Sequence, residues 1–307
     1  MARLFGVLNV NKPTGISSRQ VVDRILKLAG PVKAGHAGTL DPLATGVLVV
    51  CVGPATRLVE QIQQSPKKYR ATFLLGRRSD TDDVTGRLIE VKHALPVDVR
   101  KIEAVLPRFV GRIQQVPPQF SAVHVQGRRA YKLARLGRKV EIEPRTVEVY
   151  GIRLIEFRDP DLTVTIECGT GTYIRAIGRD LGDQLGCGAV MSKLVRTRVG
   201  PYRLGDSVDL DNLTADSLAD VLLPPTTDLA HLPQFVCSPA DLEDVRHGRR
   251  LHLPEGQAFP EGATVVLLTP NKELAALAHY HSEDRTLAPK QVFVQQEEAR
   301  AAEEPVP

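Results

Sequence analysis

Hydrophobic and polar residues along the first two thirds of the chain follow the two periods expected of helices and strands. Apolar residues at the helical spacing predict a helix that begins at Ser17 or Ser18 and ends at Gly30. Further helices are predicted over about 57–64, 98–109 and 173–185, and strands over 47–52, 69–75, 147–157, 162–168 and 189–199. Because these elements interleave without regular βαβ spacing, the pattern predicts an α+β fold whose mixed, largely antiparallel sheet is flanked by helices.

The pattern changes near residue 222. The stretch 222–233 contains three prolines and few periodic apolar positions, which is typical of a linker. Apolar runs over 262–268 and 273–280 then predict strands of a small β-rich module. The last residues hold four glutamates and little that is apolar, so we expect a disordered tail. The predicted boundaries are 1–228 for a large domain, 229–295 for the small one and 296–307 for the tail.

Composition narrows the class of protein without identifying its activity. The chain has 307 residues, 42% of them hydrophobic, and a net charge of +4, which permits a polyanionic partner. Its four cysteines show neither a CxxC pair nor metal-ligand spacing, as expected of packed thiols in a reducing compartment. No signal-peptide pattern and no apolar run of membrane-spanning length is present. We therefore expect a cytoplasmic protein without a bound metal.

The most informative candidate for chemistry is a loop aspartate, Asp41. It lies in the stretch GHAGTLDPLATGVL, residues 35–48, where three glycines and Pro42 surround it and the apolar run 47–52 follows. Glycine permits positive φ and close approach of a ligand, and proline fixes φ directly after the acid. On spacing alone, an Asx-type turn that enters a strand is the more common explanation of such a residue.

The stretch 35–48 resembles the signature of the TruB family of pseudouridine synthases, in which the aspartate is catalytic. Further blocks resemble the other family motifs and occur in the family's order, so that together they span residues 9 to about 200. These blocks are NKPTGISS at 11–18, KKYR at 67–70, PPQFSA at 117–122 with GRRAY at 127–131, and GTGTYIR at 169–175. A weaker resemblance, carried by residues 246–249 and 287–293, relates the small module to a PUA-type RNA-binding domain.

The resemblance implies a site without metal or cofactor. Asp41 matches the catalytic carboxylate, and Arg175 matches the arginine that pairs with it. Tyr69 matches the catalytic-site tyrosine that stacks on a flipped-out uracil, and Tyr173 matches a second tyrosine that lines the pocket. His36 resembles the histidine that helps to fill the space left by the flipped base. Without the motif, the two tyrosines would be ordinary core aromatics and the arginine a surface residue.

Basic residues beside the pocket are the expected contacts for RNA phosphates. The segment 115–146 resembles a flexible family insertion that grips the RNA, and it departs from the family pattern at Phe120 and His124, where tyrosine and lysine are common. A second basic run surrounds Arg196. The candidate phosphate contacts are Arg128, Arg129, Lys132 and Arg196, with Lys12 and Lys68 as weaker ones.

The implied activity is conversion of uridine to pseudouridine in the T loop of tRNA, with position 55 as the expected target. The implied partner is the T arm of tRNA; no membrane and no obligate protein partner are expected, and the chain is expected to be a monomer. One alternative is an RNA-binding or tRNA-folding factor in which catalysis is secondary or lost. Another is a carboxylate-dependent N-glycosylase, which would need a second carboxylate to activate water. The nearest acidic cluster in sequence is Asp80, Asp82 and Asp83, and nothing in the sequence ties it to the Asp41 loop.

Overall fold

A computed structural model of the chain describes residues 4–92, 96–121, 123–125, 127–137 and 140–294. The chain divides into two compact units, of which the first ends at Leu222 and the second begins at Leu223. The predicted tail over 296–307 lies outside the described residues. The two domains predicted from the sequence, with a boundary at residue 228, stay a prediction.

The first unit contains five α-helices and fourteen strands among its described residues. The helices are α1 Ser18–Ala29, α2 Val59–Gln64, α3 Val99–Val105, α4 Ala130–Arg135 and α5 Ile174–Leu185. The strands are β1 Gly6–Lys12, β2 Ala34–His36, β3 Thr45–Val52, β4 Lys67–Leu75, β5 Arg77–Arg78, β6 Ile89–Glu90, β7 Gly111–Gln115, β8 His124–Val125, β9 Arg128–Arg129, β10 Arg145–Arg158, β11 Asp161–Cys168, β12 Ala189–Val199, β13 Tyr202–Arg203 and β14 Val208–Asp209. Short 3-10 helices cover Gly53–Leu58, Leu106–Phe109, Leu204–Asp206 and Leu210–Asn212.

Ten of these strands form one sheet, with the order β14-β1-β3-β12-β4-β11-β10-β7 and with β2 and β13 paired to β3 and β12. Neighbours are antiparallel except for β1 with β14 and β3 with β12, which are parallel. The sheet is therefore mixed and largely antiparallel, and the predicted α+β class is confirmed. At its centre, β12 lies between β3 and β4, which brings three distant segments of the chain together.

Helices cover the sheet through two clusters of buried residues. One cluster joins α1 to β1 and β3, and it includes Val21, Val22 and Ile25 of the helix. The other joins α3 and α5 to β4, β11 and β12, and it includes Ile177, Leu181 and Leu185 of α5. The apolar faces that the sequence pattern identified are thus the faces that the sheet buries, as expected of amphipathic helices.

The predicted helices are present, with shifted ends. Ser17 caps α1 through a capping box with Gln20, and α5 ends at Gly186, whose φ of 76° is left-handed. The helix predicted over 98–109 is split into α3 and a 3-10 turn that contains Pro107. Strand β1 is an element that the sequence pattern did not predict.

The second unit is a small sheet with one α-helix. Its strands are β15 Gln234–Val236, β16 Leu251–His252, β17 Thr264–Leu268, β18 Leu274–His281 and β19 Thr286–Val292, in the order β15-β17-β18-β19-β16, and its helix is α6 Pro239–Arg246. A 3-10 helix, Thr227–Leu229, lies in the stretch predicted as a linker. Strands β17 and β18 confirm the predicted strands, and their buried faces share a core with Phe235, Val245 and Leu287.

Candidate active site

Asp41 lies in the loop between β2 and β3, and the first motif of the chain holds this loop in place. The hydroxyl of Ser18 donates to the carbonyl of Leu40 at 3.0 Å and accepts from its N–H at 2.8 Å. The N–H of Gly15 donates to the carbonyl of Pro42 at 2.8 Å. Hydrogen bonds on both sides of Asp41 therefore fix its backbone, which gives the NKPTGISS segment a structural role in the site.

Arg175, the second residue of α5, binds the Asp41 carboxylate with two nitrogens. Its Nε lies 2.9 Å from Oδ2, and its Nη2 donates to Oδ1 at 3.3 Å. The arginine side chain is only 6% exposed, whereas that of Asp41 is 36% exposed. A bidentate pair of this kind fixes the plane of the carboxylate.

The same guanidinium contacts a second carboxylate, Asp83, whose Oδ2 lies 3.7 Å from the Nε of Arg175. Arg175 also donates to the carbonyls of Thr81 at 2.8 Å and Phe120 at 3.0 Å. The acidic cluster that sequence alone could not connect to the loop is therefore joined to it through Arg175. One turn further along α5, Arg179 lies 2.9 Å from Asp82.

Asp83 is poorly suited to activate water, because its side chain is only 6% exposed. Its Oδ1 accepts hydrogen bonds from the Thr81 hydroxyl at 2.8 Å, from the Thr85 N–H at 2.9 Å and from the Thr85 hydroxyl at 2.5 Å. An N-glycosylase that relies on a second, water-activating carboxylate therefore finds no support in this segment.

A cavity of about 390 Å³ opens beside Asp41. The sequence-predicted residues that line it are Asp41, Tyr69, Tyr173, Arg175 and Arg196, together with Phe120. Five of the predicted residues, which are spread over 155 positions of sequence between Asp41 and Arg196, thus share one cavity. Its volume is at the lower end of the range found for small-molecule sites.

The two tyrosines are held in different ways. Tyr69 on β4 is buried, and this burial raises the pKa of its hydroxyl, while the nearby charge of Arg196 opposes the rise. Tyr173 directly precedes α5, and its backbone is bonded to the side chain of Gln115 at 2.8 and 3.1 Å. Burial raises the pKa of Tyr173 as well. Both hydroxyls are therefore neutral near pH 7 and can donate hydrogen bonds.

Two of the predicted phosphate contacts lie inside the protein. Lys12 is fully buried, and its Nζ donates to the carbonyls of Pro13 at 2.8 Å and Pro42 at 3.4 Å. Burial lowers its pKa to about 8. Arg196 is 1% exposed and is bonded to backbone carbonyls. Both residues support the Asp41 loop from within, which differs from the surface position that a phosphate contact requires.

The remaining candidate residues either do not line the cavity or have side chains that the structure does not describe. His36 is at the end of β2, where burial lowers its pKa, and Lys68 is on β4; neither is among the described residues that line the cavity. Arg128 and Arg129 form β9 and Lys132 belongs to α4, but the described part of the chain does not include their side chains. The side chain of His124 also lies outside the described residues.

Two residues organise this site in ways that the sequence does not indicate: Asp83, through its contact with Arg175, and Gln115, through its bonds to Tyr173. Asp83 follows two other acidic residues in a turn, and Gln115 is the last residue of β7. Only their position relative to α5 shows what they do, because both act on residues about 60 to 90 positions away. Within the described ranges no three metal-ligating side chains cluster, and no helix is long and apolar enough to span a membrane.

Most of the first unit matches known protein families. Residues 24–174 match the family described as TruB family pseudouridylate synthase (N terminal domain). Residues 175–229 match the tRNA pseudouridylate synthase B C-terminal domain. Because the second match ends at residue 229, the PUA-like nature of the module beyond it stays a prediction.

Similar proteins and solved structures agree with these matches. A tRNA pseudouridine synthase B of Moorella thermoacetica is 41% identical over 92% of this chain and 96% of its own length, and one of Thermobifida fusca is 42% identical over 90% and 95%. A solved Cbf5-Nop10-Gar1 complex contains a chain with a TM-score of 0.74 and 29% identity, covering 95% of this chain and 85% of that one. A second solved structure, an H/ACA RNP bound to a substrate RNA, has a TM-score of 0.73 at 28% identity, over 95% and 86%. This chain belongs to the TruB family of pseudouridine synthases.

Proposed function

We propose that this chain converts a uridine in the T loop of tRNA, expected at position 55, to pseudouridine, with Asp41 as the carboxylate that acts on the nucleotide. The observation that carries the proposal is the ion pair of Asp41 with Arg175, which lines a cavity that two tyrosines also line. The relatives named tRNA pseudouridine synthase B support tRNA as the substrate.

The reaction breaks the bond between ribose C1′ and N1 of uracil, turns the base, joins C1′ to C5 and releases the C5 proton. It transfers no electrons to an acceptor and needs no phosphoryl donor. A carboxylate serves this chemistry either by attacking the sugar or base, or by removing a proton from the ribose. Asp41 suits both roles, because Arg175 orients its carboxylate while about a third of its side chain stays exposed beside the cavity.

The target uridine lies inside a folded RNA loop, so it must leave its stack before Asp41 can reach it. The cavity offers an aromatic wall for the extruded base in Tyr69, and a second ring in Tyr173. Their neutral hydroxyls are hydrogen-bond donors suited to the carbonyl oxygens of uracil.

Charge distribution supports RNA binding by the first unit. Residues 1–222 contain 33 lysines and arginines against 23 acidic residues, a net charge of +10, whereas residues 223–307 contain 7 against 13, a net charge of −6. Contacts to a polyanion are therefore expected mainly from the unit that holds the cavity. Arg128, Arg129, Lys132 and Lys68 remain the proposed phosphate contacts.

The deciding assay is release of tritium from C5 of labelled uridine in a T-arm transcript. The wild-type chain should release tritium, and a transcript with cytidine at position 55 should lose the signal from that site. Asp41→Ala should abolish release while tRNA affinity stays within about twofold. Release at the wild-type rate from Asp41→Ala would refute the proposal. Binding of the transcript without release by the wild type would instead favour an RNA-binding or folding factor.

A further inference from the structure

Arg196 is a buried charge for which the proposed chemistry assigns no task. It lies on β12, the central strand of the large sheet, and it is 1% exposed. In the sheet register it is opposite Gly46 of β3 on one side and Tyr69 of β4 on the other. These neighbours belong to the strand that leaves the Asp41 loop and to the strand that carries the stacking tyrosine.

The guanidinium of Arg196 binds both ends of the Asp41 loop. Its Nε donates to the carbonyl of Val47 at 2.7 Å. Its Nη2 donates to the carbonyl of Gly38 at 3.0 Å, and its Nη1 is 3.4 Å from that of Thr39. A buried guanidinium requires acceptors for its N–H groups, and here they are backbone oxygens from before and after Asp41. The side chain thus closes the loop around the catalytic position.

The backbone of Arg196 fixes the end of the same loop. A Cβ added at Gly46 would lie 2.3 Å from the carbonyl oxygen of Arg196, and Gly46 has a φ of 98°. Only glycine permits both this close approach and this conformation. The end of the Asp41 loop and strand β12 are therefore in direct contact at Arg196.

Arg196 also lies beside Tyr69, its partner in the strand register, and both residues line the same cavity as Asp41. Burial raises the pKa of the Tyr69 hydroxyl, and the nearby charge of Arg196 opposes that rise.

We propose that Arg196 is a positioning residue, which holds the Asp41 loop and the Tyr69 hydroxyl in fixed relation across the cavity that receives the uracil. The inference rests on the proposed function, because it assigns Arg196 a part in the same reaction. It gives this arginine a task inside the protein and removes it from the residues that bind RNA phosphates.

The electrostatics agree with this geometry. The charge of Arg196 opposes the rise in the pKa of Tyr69 that burial causes. When a neutral side chain replaces the guanidinium, the pKa of Tyr69 should therefore rise further. Any dependence of the rate on the ionisation of Tyr69 should move to higher pH.

The test compares Arg196→Lys and Arg196→Gln with a matched control, Arg24→Lys, whose arginine forms an exposed ion pair with Asp211. Single-turnover tritium release should fall by about ten- to hundredfold in the Arg196 variants, with tRNA affinity within about twofold. The control should keep both values. The alkaline limb of the pH–rate profile should move to higher pH in Arg196→Gln, which removes the charge, and less in Arg196→Lys, which keeps one. In a Tyr69→Phe background this movement should vanish.

A second readout does not depend on activity. Amide hydrogen exchange over residues 37–46 should be faster in folded Arg196→Lys than in the wild type or in Arg24→Lys, because the loop has lost its central donor. If the variants lose tRNA affinity but keep the single-turnover rate, Arg196 is a phosphate contact and the inference is wrong. Unchanged loop exchange in a folded variant would also overturn it. Absence of tritium release from the wild type would refute the proposed function alone, since the exchange comparison would still decide the role of Arg196.

Discussion

Two segments of the first unit present a carboxylate to the same arginine, and they do so in opposite ways. The β2–β3 loop presents Asp41, which is 36% exposed and beside the cavity, whereas the turn before β6 presents Asp83, which is 6% exposed. Arg175 is 2.9 Å from the first and 3.7 Å from the second. The Asp41 carboxylate is therefore accessible to a substrate, whereas the Asp83 carboxylate can act only on neighbouring residues.

Hydrogen bonding explains how the two carboxylates differ. One oxygen of Asp83 already accepts hydrogen bonds from three donors of Thr81 and Thr85, so this carboxylate is fixed in place. Both oxygens of Asp41 contact Arg175 but keep lone pairs directed elsewhere. Two anions thus share one cation, and Asp83 limits how tightly Arg175 holds Asp41.

The largest effect is expected from Arg175→Met, which removes the cation from both segments. Asp41 loses its orientation and Asp83 is left buried without its counter-charge. Turnover should fall by about 10³-fold or more, and the free energy of unfolding should fall by about 3 kcal/mol. Single-turnover tritium release and denaturant unfolding measure the two effects.

A double variant sharpens this result. Adding Asp83→Asn to Arg175→Met removes the orphaned buried charge, so stability should be partly restored while turnover stays low. The exposed Arg24→Met serves as the control and should cost less than about 1 kcal/mol. Recovery of turnover in the double variant would mean that the charge of Asp83, and not the orientation of Asp41, limits the reaction.

Resemblance to a family located Asp41, Arg175 and the two tyrosines, but it could not show how they are supported. The apolar periodicity predicted α1, α5 and β12 closely, because these elements have one continuous buried face. Strand β1 was missed although it lies beside β3 in the sheet. Its apolar residues follow one another without a pattern that separates a strand from a buried helix turn.

Burial of charged residues is the part of the site that the sequence could not reveal. Lysine and arginine are rarely buried, so a basic residue near a motif is more readily assigned to the surface. Lys12 and Arg196 are exceptions because carbonyl oxygens of the Asp41 loop accept their N–H groups. Lys12 approaches the loop only when β1 pairs with β3, and Arg196 only when β12 pairs with β3, and no local pattern specifies these pairings.

A smaller effect is expected from Asp83→Asn alone. The amide oxygen can still accept from Thr85, but the charge that faces Arg175 is lost. Arg175 should then hold Asp41 more tightly, which makes the Asp41 carboxylate a weaker nucleophile and base. Turnover should fall by about ten- to hundredfold, the scale of one hydrogen bond to a charged group, while tRNA affinity stays unchanged. Asp41→Asn should abolish turnover in the same assay. Equal losses from the two variants would contradict the separation of their roles.

Lys12 is a further cation beside the Asp41 loop, and its lowered pKa predicts that stability depends on pH. The pKa of Lys12 is lowered from 10.5 to about 8 by burial, so the unfolded chain binds the proton more strongly than the folded one. Between these pH values the unfolded state holds more protons, and stability should rise with pH. Relative to Lys12→Met, the wild type should therefore gain unfolding free energy from pH 8 to pH 10.5. A pH-independent difference in denaturant unfolding would contradict this assignment.

The smallest effect is expected at Asp82, which directly precedes Asp83 but pairs with Arg179, one helical turn beyond Arg175. Burial raises the pKa of Asp82 although Arg179 opposes the rise, so its ionised form is held less favourably than in the unfolded chain. Relative to Asp82→Asn, the wild type should lose stability as the pH rises from 3.8 through the raised folded pKa. Asparagine also tolerates the left-handed backbone at this position, where φ is 59°.

Turnover of Asp82→Asn should stay within about twofold of the wild type, because the substitution leaves Arg175, Asp83 and the cavity in place. Tritium release at pH 7 measures the rate, and denaturant unfolding at several acidic pH values measures the stability difference. A loss of turnover as large as that of Asp83→Asn would mean that Asp82 and Asp83 act together on the reaction. Arg175 and Arg179 lie four residues apart on one face of α5, so both could then relay a change in the Asp82–Asp83 turn to Asp41. The difference in role would in that case separate the Asp41 loop from the entire turn, and not from Asp83 alone.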